Sequence, residues 1–183
     1  MNNVQLKIHD MSSVLHPADA YALVLEEVNG IRKLPIIIGH LEAQAIKVMM
    51  VKYHPPRPLT HDLILSITEG LGVELKQVEI YKAKEGVFYS YLHYDKNGEE
   101  FKIDARTSDA VALALRYKCP IYTSEEIMES EHLHDLGDGK FSMPITSVNL
   151  QMLEEALQTA IDKEEYEQAS YLRDEIRKRK NNQ

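Results

Sequence analysis

"VELKQVEIYKAKEGVFYSYLHYDKNGEEFKID" (residues 73–104) decides the fold. Three strand-forming runs, VELKQVEIYKA, GVFYSYLHY and EEFKID, are separated by Lys84-Glu85-Gly86 and Asp95-Lys96-Asn97-Gly98. Glycine and asparagine tolerate the backbone angles of tight turns, so each break reads as a reversal between antiparallel strands. The simplest product is a three-stranded meander.

The chain before it opens in the same character. From Val4 to Ile38 the runs VQLKIHDM, AYALVLEEV and RKLPIII are strand-like, and Asn29-Gly30 between the last two is a strong hairpin signal. GHLEAQAIKVMMVKY then changes period: Leu41, Ala45, Val48 and Met49 recur at helical spacing, and prolines 55, 56 and 58 end the pattern. In "PPRPLTHDL" (residues 55–63), Thr60 reads as a helix N-cap and Asp62 complements the positive helix end. That helix is expected to carry Leu63, Ile64 and Ile67 inward and to stop near Gly70 or Gly72. After the meander, TSDAVALALRYK is apolar nearly all round, which predicts a buried helix; a short strand PIYT and a helix capped by Ser124 follow. The expected fold is α+β, a mixed, largely antiparallel sheet with packed helices.

Residues 1–130 form the main domain in this reading. From 131 to 149 the composition turns to Glu, His, Asp, Gly and Ser and no period survives, which reads as a linker. In residues 150–183, Leu150, Leu153, Leu157, Ala160 and Ile161 make one apolar stripe. Tyr166, Ala169, Leu172 and Ile176 make another after a charged corner. Two amphipathic helices joined this closely predict an antiparallel α-helical hairpin, too small to bury much surface without a partner.

At 183 residues the chain can bury a real core, and its one cysteine, Cys119, rules out an internal disulfide framework. The start MNNVQLKIHDM has no basic segment followed by an apolar run, and no membrane-length apolar stretch occurs, so a cytoplasmic protein is expected. A net charge of -8 argues against broad attraction to nucleic acid; a polyanion must be met by a local basic patch or through a metal ion. No phosphate-binding glycine loop, HExxH or CxxC is present, which sets aside nucleotide-driven motors, zincins and zinc ribbons.

What remains are polar residues at element ends, where scaffolds display functional groups. Glu42 suits a metal ligand or general base, and equally an acidic first-turn residue facing the helix dipole. His61 and Asp62 could hold a divalent ion or position a water, while a helix start explains them nearly as well. Arg57, stiffened by its prolines, could clamp a phosphate or pair with one of these carboxylates. In DARTSDA, Asp104 and Arg106 lie on one side of a strand end, and Thr107, Ser108 and Asp109 suit the first turn of the next helix. If the two segments meet, the result is either a pocket for metal and phosphate or a structural ion-pair network. Two weaker candidates are EHLHD (residues 131–135), which reads as solvated loop, and Tyr89, Tyr91 and Tyr94, which strand alternation accounts for.

These residues carry a resemblance. LPIIIGHLEAQAI, PPRPLTHDL and DARTSDAVALALR followed by PIY, in this order and spacing, resemble the bifunctional nuclease (BFN) domain family over roughly Val4 to Ser130. LEEALQTAIDKEEYEQASYLRDEIRKRK is similar to a UVR motif, a helical hairpin of excision-repair proteins that mediates protein contacts. The resemblance implies a nuclease acting on RNA and DNA. It carries over the signature positions Glu42, Arg57, His61, Asp62, Asp104, Arg106, Ser108, Asp109 and Arg116. Thr107 departs from the family's usual proline, and His40-Leu41 from a common Pro-Phe.

On this basis Glu42, His61, Asp62, Asp104 and Asp109 are the expected catalytic residues, and Arg57, Arg106 and Arg116 the phosphate-binding ones. Mg2+ or Mn2+ on carboxylates such as Asp62 and Asp104 is a chemical expectation, since an acidic protein needs positive charge to meet a polyanion. Tyr166, Ala169, Leu172, Arg173 and Ile176 are the expected partner-binding residues of the hairpin. The alternative is a noncatalytic oligomeric adaptor whose polar cluster is structural and whose hairpin docks a repair or protease-linked protein. Exposed strand edges point to a homodimer in either case.

Overall fold

The computed structural model describes residues 3–13, 19–137, 140–142, 144 and 148–181. Strands Asn3–Ser13 (β1), Ala20–Glu27 (β2) and Lys33–Gly39 (β3) lead into helices His40–Met50 (α1) and Thr60–Gly70 (α2). The meander follows as Glu74–Lys84 (β4), Val87–Lys96 (β5) and Glu99–Arg106 (β6), with turns at Glu85-Gly86 and Asn97-Gly98, all at positive φ. Helix Thr107–Tyr117 (α3), strand Ile121–Ser124 (β7) and helix Glu125–Glu131 (α4) complete the main domain. Ser124 caps α4 as expected, accepting the Ile127 amide at 3.2 Å.

The sheet has seven strands in the order β3-β2-β1-β7-β4-β5-β6. All neighbours are antiparallel except β4 and β7. The chain crosses from the β3 edge to β4 through α1 and α2, and β7 later closes the gap between the two halves. Helix α3 lies on the sheet with α1 and α2 against it, and eight of its eleven residues are buried. Its apolar-all-round sequence is the signature of this sandwiched position.

Four details differ from the sequence reading. Helix α1 buries Ala43 and Ile46 while Leu41 lies in solvent. Helix α2 buries no residue: Leu63 and Ile67 are each 52% exposed, and only Ile64 packs at the margin of the core. It leans on α3 along one narrow side, where the Thr68 and Tyr117 hydroxyls meet. Thr60 is the first helical residue rather than the cap; the orphan Leu59 amide is taken by Asp62 Oδ2 at 2.9 Å. Within the stretch read as a linker, two short strands, His134–Gly137 (β8) and Lys140–Ser142 (β9), pair antiparallel.

Helices Leu150–Asp162 (α5) and Tyr166–Asn181 (α6) form the expected hairpin around Leu153, Ala160, Ala169, Leu172 and Ile176. Arg179, buried at its end, bonds Glu175 at 2.9 Å and the Val148 carbonyl at 2.5 Å. The hairpin's start closes on the β4–β5 turn. A Cβ at Gly86, whose φ is +78°, would lie 2.7 Å from the Asn149 nitrogen, so only glycine fits there. No helix of the described residues is long and apolar enough to cross a membrane.

Candidate active site

Three helix starts and one strand end converge. Glu42 stands in the first turn of α1, His61 and Asp62 in that of α2, Arg106 at the end of β6 and Asp109 in the first turn of α3. Arg106 bridges two acids: its Nε and Nη2 donate to Asp109 at 2.7 and 3.2 Å, and its Nη1 donates to Glu42 at 2.9 Å. His61 Nε2 lies 3.2 Å from Asp109 Oδ1, the oxygen that also accepts from Arg106 Nη2. The result is a continuous chain, Glu42–Arg106–Asp109–His61, whose Glu42–Arg106 end borders a cavity of about 260 Å³ also lined by Gly39, Gly86, Ser108 and Asn149.

A second pair lies beside it. Arg116 Nε donates to Asp62 Oδ1 at 2.5 Å, and its Nη1 donates to the carbonyls of Ala45 and Ala112 at 3.2 and 2.9 Å. The Arg116 side chain is 2% exposed, so it ties α1, α2 and α3 together and is not placed to meet a phosphate. Asp62 is occupied on both oxygens, by Arg116 and by the Leu59 amide.

The charges are set by these contacts. Burial alone would raise the Asp109 carboxyl, but hydrogen bonds from Arg106 and His61 outweigh it and hold it below the ordinary aspartate range. Asp62 is likewise held low, with Arg116 and the Leu59 amide overriding burial. A carboxylate whose folded pKa is depressed contributes stability that is complete above its unfolded value and lost as pH falls through the folded one. The share of stability that these two aspartates supply should therefore be constant near neutrality and fall below the ordinary aspartate value of 3.8. Urea midpoints measured across that range should fall less steeply for Asp62→Asn than for the parent; parallel slopes would show that Asp62 carries none of the acid sensitivity.

Other expected site residues lie apart from this chain. Asp104 accepts from the Tyr81 hydroxyl at 3.0 Å on the bare face of the sheet, where Tyr81 stacks on Tyr91. Alternation does put Asp104 and Arg106 on one side of the strand, but the chain turns into α3 at Arg106 and redirects its guanidinium. Asp62 and Asp104 are thus committed to different partners and are not arranged as a joint metal site. Among the described residues, no three His, Cys, Asp or Glu side chains gather closely enough to hold a metal ion. Arg57 is exposed, with no ion pair among the described residues. Thr107 does not cap α3; its hydroxyl turns into the core and meets Ser90 Oγ at 2.8 Å.

Of the weaker candidates, Tyr94 is buried against Phe101 and Tyr117, whereas Tyr89 and Tyr91 lie on the bare face. In EHLHD, Leu133 donates to the Lys33 carbonyl at 2.7 Å and His132 Nδ1 contacts the Met128 carbonyl at 2.9 Å, while the Asp135 side chain lies outside the described residues. Burial pushes the Cys119 thiol up to about 11, which leaves it unreactive at neutral pH. Asn149, at the cavity rim, had no signal in the sequence, because it reaches the site from beyond the segment read as a linker. In the hairpin, Ala169, Leu172 and Ile176 face α5, so of the five expected contact residues the free hairpin presents Tyr166 and Arg173.

Comparison with known proteins bears on this site. The bifunctional nuclease domain family matches residues 23–135, and the UvrB/uvrC motif matches residues 149–181. An uncharacterized protein of Mycobacterium tuberculosis is 47% identical over 115 residues, covering 63% of this chain and 68% of that protein. Bifunctional nuclease 1 of Arabidopsis thaliana is 24% identical over 183 residues, covering 87% of this chain and 56% of its own length. Bifunctional nuclease 1 of Oryza sativa subsp. japonica is 29% identical over 114 residues, covering 60% of this chain and 34% of its own. With the larger part of its length matched by that domain, and the convergent helix starts lying inside the match, the chain belongs to the bifunctional nuclease domain family and carries a C-terminal UVR motif.

Proposed function

We propose that this protein is a cytoplasmic nuclease that hydrolyses phosphodiester bonds of RNA and DNA at the Glu42–Arg106–Asp109–His61 chain. The observation that carries the reading is the oriented imidazole. Asp109 holds His61 Nε2 at 3.2 Å, and Nδ1 makes no hydrogen bond among the described residues. A histidine braced on one nitrogen by a carboxylate is suited to take a proton from an attacking hydroxyl or water on the other. Arg106, with 66% of its side chain exposed, offers charge to the phosphate, and Arg57 on its proline-stiffened loop offers more. Glu42 fixes Arg106 from behind.

Mg2+ or Mn2+ does not fit the carboxylates as they stand, because Glu42 and Asp109 share the Arg106 guanidinium and Asp62 is taken by Arg116. The test is cleavage of single- and double-stranded RNA and DNA by the purified protein, with and without EDTA, beside Asp109→Asn. Cleavage by the parent that Asp109→Asn loses supports the site; cleavage undiminished in that variant moves the reaction elsewhere. Loss with EDTA brings a divalent ion into the reaction and survival leaves it out.

A second reading is favoured by the hairpin. Ile161, Tyr166 and Tyr171 stand exposed on it, large apolar surfaces suited to a protein partner. In this reading the hairpin docks a repair or protease-linked protein, and the ion pairs of the main domain are structural. Absence of cleavage under every condition above, with partner capture lost on deleting residues 150–183, would decide for the adaptor.

A further inference from the structure

The two edges of the sheet are built differently. On the β3 edge, Pro35 lacks an N–H and the Lys33 carbonyl is taken by the Leu133 amide at 2.7 Å, so this edge is blunted. On the other edge, β6 runs from Glu99 to Arg106 without proline and, among the described residues, pairs on one side only, with β5. Its outward N–H and C=O groups form a template for one more strand.

Side chains of β6 alternate strictly. Toward the helices point Phe101, stacked on the buried Tyr94, and Ile103, and both remain large exposed apolar groups at 42% and 48%. Toward the bare face stand Glu100, Lys102 and Asp104, a run of alternating sign, while Arg106 turns its guanidinium away to Asp109 and Glu42. Lys102 there lies 4.0 Å from the Tyr91 ring centre and Asp104 contacts Tyr81. Such a run is complementary to itself when reversed.

We propose that two copies of this chain join β6 to β6, antiparallel, about a two-fold axis through Ile103. In that register Lys102 of each copy faces Asp104 of the other, Phe101 faces Ala105, and the two Ile103 side chains meet on the axis. Opposite charges directly across strands stabilise a pair and like charges destabilise it. Sliding the copies by two residues would set Lys102 against Lys102 in one direction or Asp104 against Asp104 in the other. Slipping by one residue would join the helix-covered face of one sheet to the bare face of the next. A two-fold through Phe101 would also pair opposite charges, Glu100 with Lys102, but would leave residues 104–106 unpaired, so the Ile103 axis is the one that meets both conditions along the length of β6. A foreign strand would need the same acid-base alternation, so a second copy is the occupant this edge fits. The contact is isologous and closed, as a two-fold dimer requires.

The experiment uses the full chain. Sedimentation should show a dimer for the parent. Lys102→Glu alone and Asp104→Lys alone should give monomers, since each sets like charges across the axis twice, and the double exchange should restore the dimer. Independently, in a Cys119→Ser background, Ile103→Cys should cross-link to itself on mild oxidation, because axis residues face each other at about 4.5 to 5.5 Å between Cβ atoms. Phe101→Cys should not, since its counterpart lies about 13 Å along the strands. A monomeric parent, a dimer that survives both single reversals, or equal cross-linking at 101 and 103 would overturn the assignment. Circular dichroism of each variant separates loss of pairing from loss of fold, and the cross-link does not depend on the charge variants folding.

Discussion

Arg116→Ala is expected to destabilise the main domain by about 3 to 5 kcal/mol, the range for removing one partner of a buried, hydrogen-bonded ion pair. Nearly the whole Arg116 side chain is inside the protein, where it serves three helices through Asp62, Ala45 and Ala112. Truncation leaves the Asp62 carboxylate without its cation and a cavity at the α1–α2–α3 junction, while the Ala45 and Ala112 carbonyls lose a second donor but lie within helices, where the amide four residues on can still serve them. The 27% exposure of the Asp62 side chain lets water recover part of the loss, which favours the lower end of the range. Arg116→Lys should rescue little, because an ammonium cannot reach a carboxylate and two carbonyls at once in the guanidinium's planar geometry. Urea denaturation measures this directly. A cost under about 1 kcal/mol would place the pair with ordinary surface ion pairs and remove the keystone role argued for it.

His61→Ala is expected to lower nucleolytic turnover by about 100-fold or more, the lower bound of what a positioned acid or base contributes. The fold should survive with a modest loss of stability: the His61 side chain is only 13% exposed and braces Asp109, but among the described residues that is its one hydrogen bond, and α2 buries no residue fully. The division between kcat and KM separates the roles assigned in the site. Loss of a proton-transferring imidazole lowers kcat and leaves KM in place, whereas Arg106→Ala, removing a phosphate contact, should raise KM. A His61→Ala protein that cleaves within threefold of the parent would sink the oriented-imidazole mechanism while leaving the family membership intact.

Much of the fold was readable because its signals are local. Asn97-Gly98 marks its reversal by its own backbone tolerance, Asn29-Gly30 falls in the loop between β2 and β3, Ser124 caps by its own hydroxyl, and α3 declares its burial by being apolar all round. The candidate site was readable as a list of residues but not as a set of partnerships. Asp62 finds Arg116 across 54 residues and His61 finds Asp109 across 48, and no local rule assigns acid to base over such spans. The strand rule placed Asp104 and Arg106 together, and the start of α3 then separated them. Leu63 and Ile67 were assigned inward on apolar character alone; helix α2 rests on one narrow side, and which side that is depends on where α3 lies.

The approach of Gly86 to Asn149 makes one glycine a shared boundary. The same residue that turns β4 into β5 admits the first residue before the α5–α6 hairpin, and both line the Glu42–Arg106 cavity. Any side chain placed at Gly86 would therefore press on the hairpin's entry and on the cavity wall together.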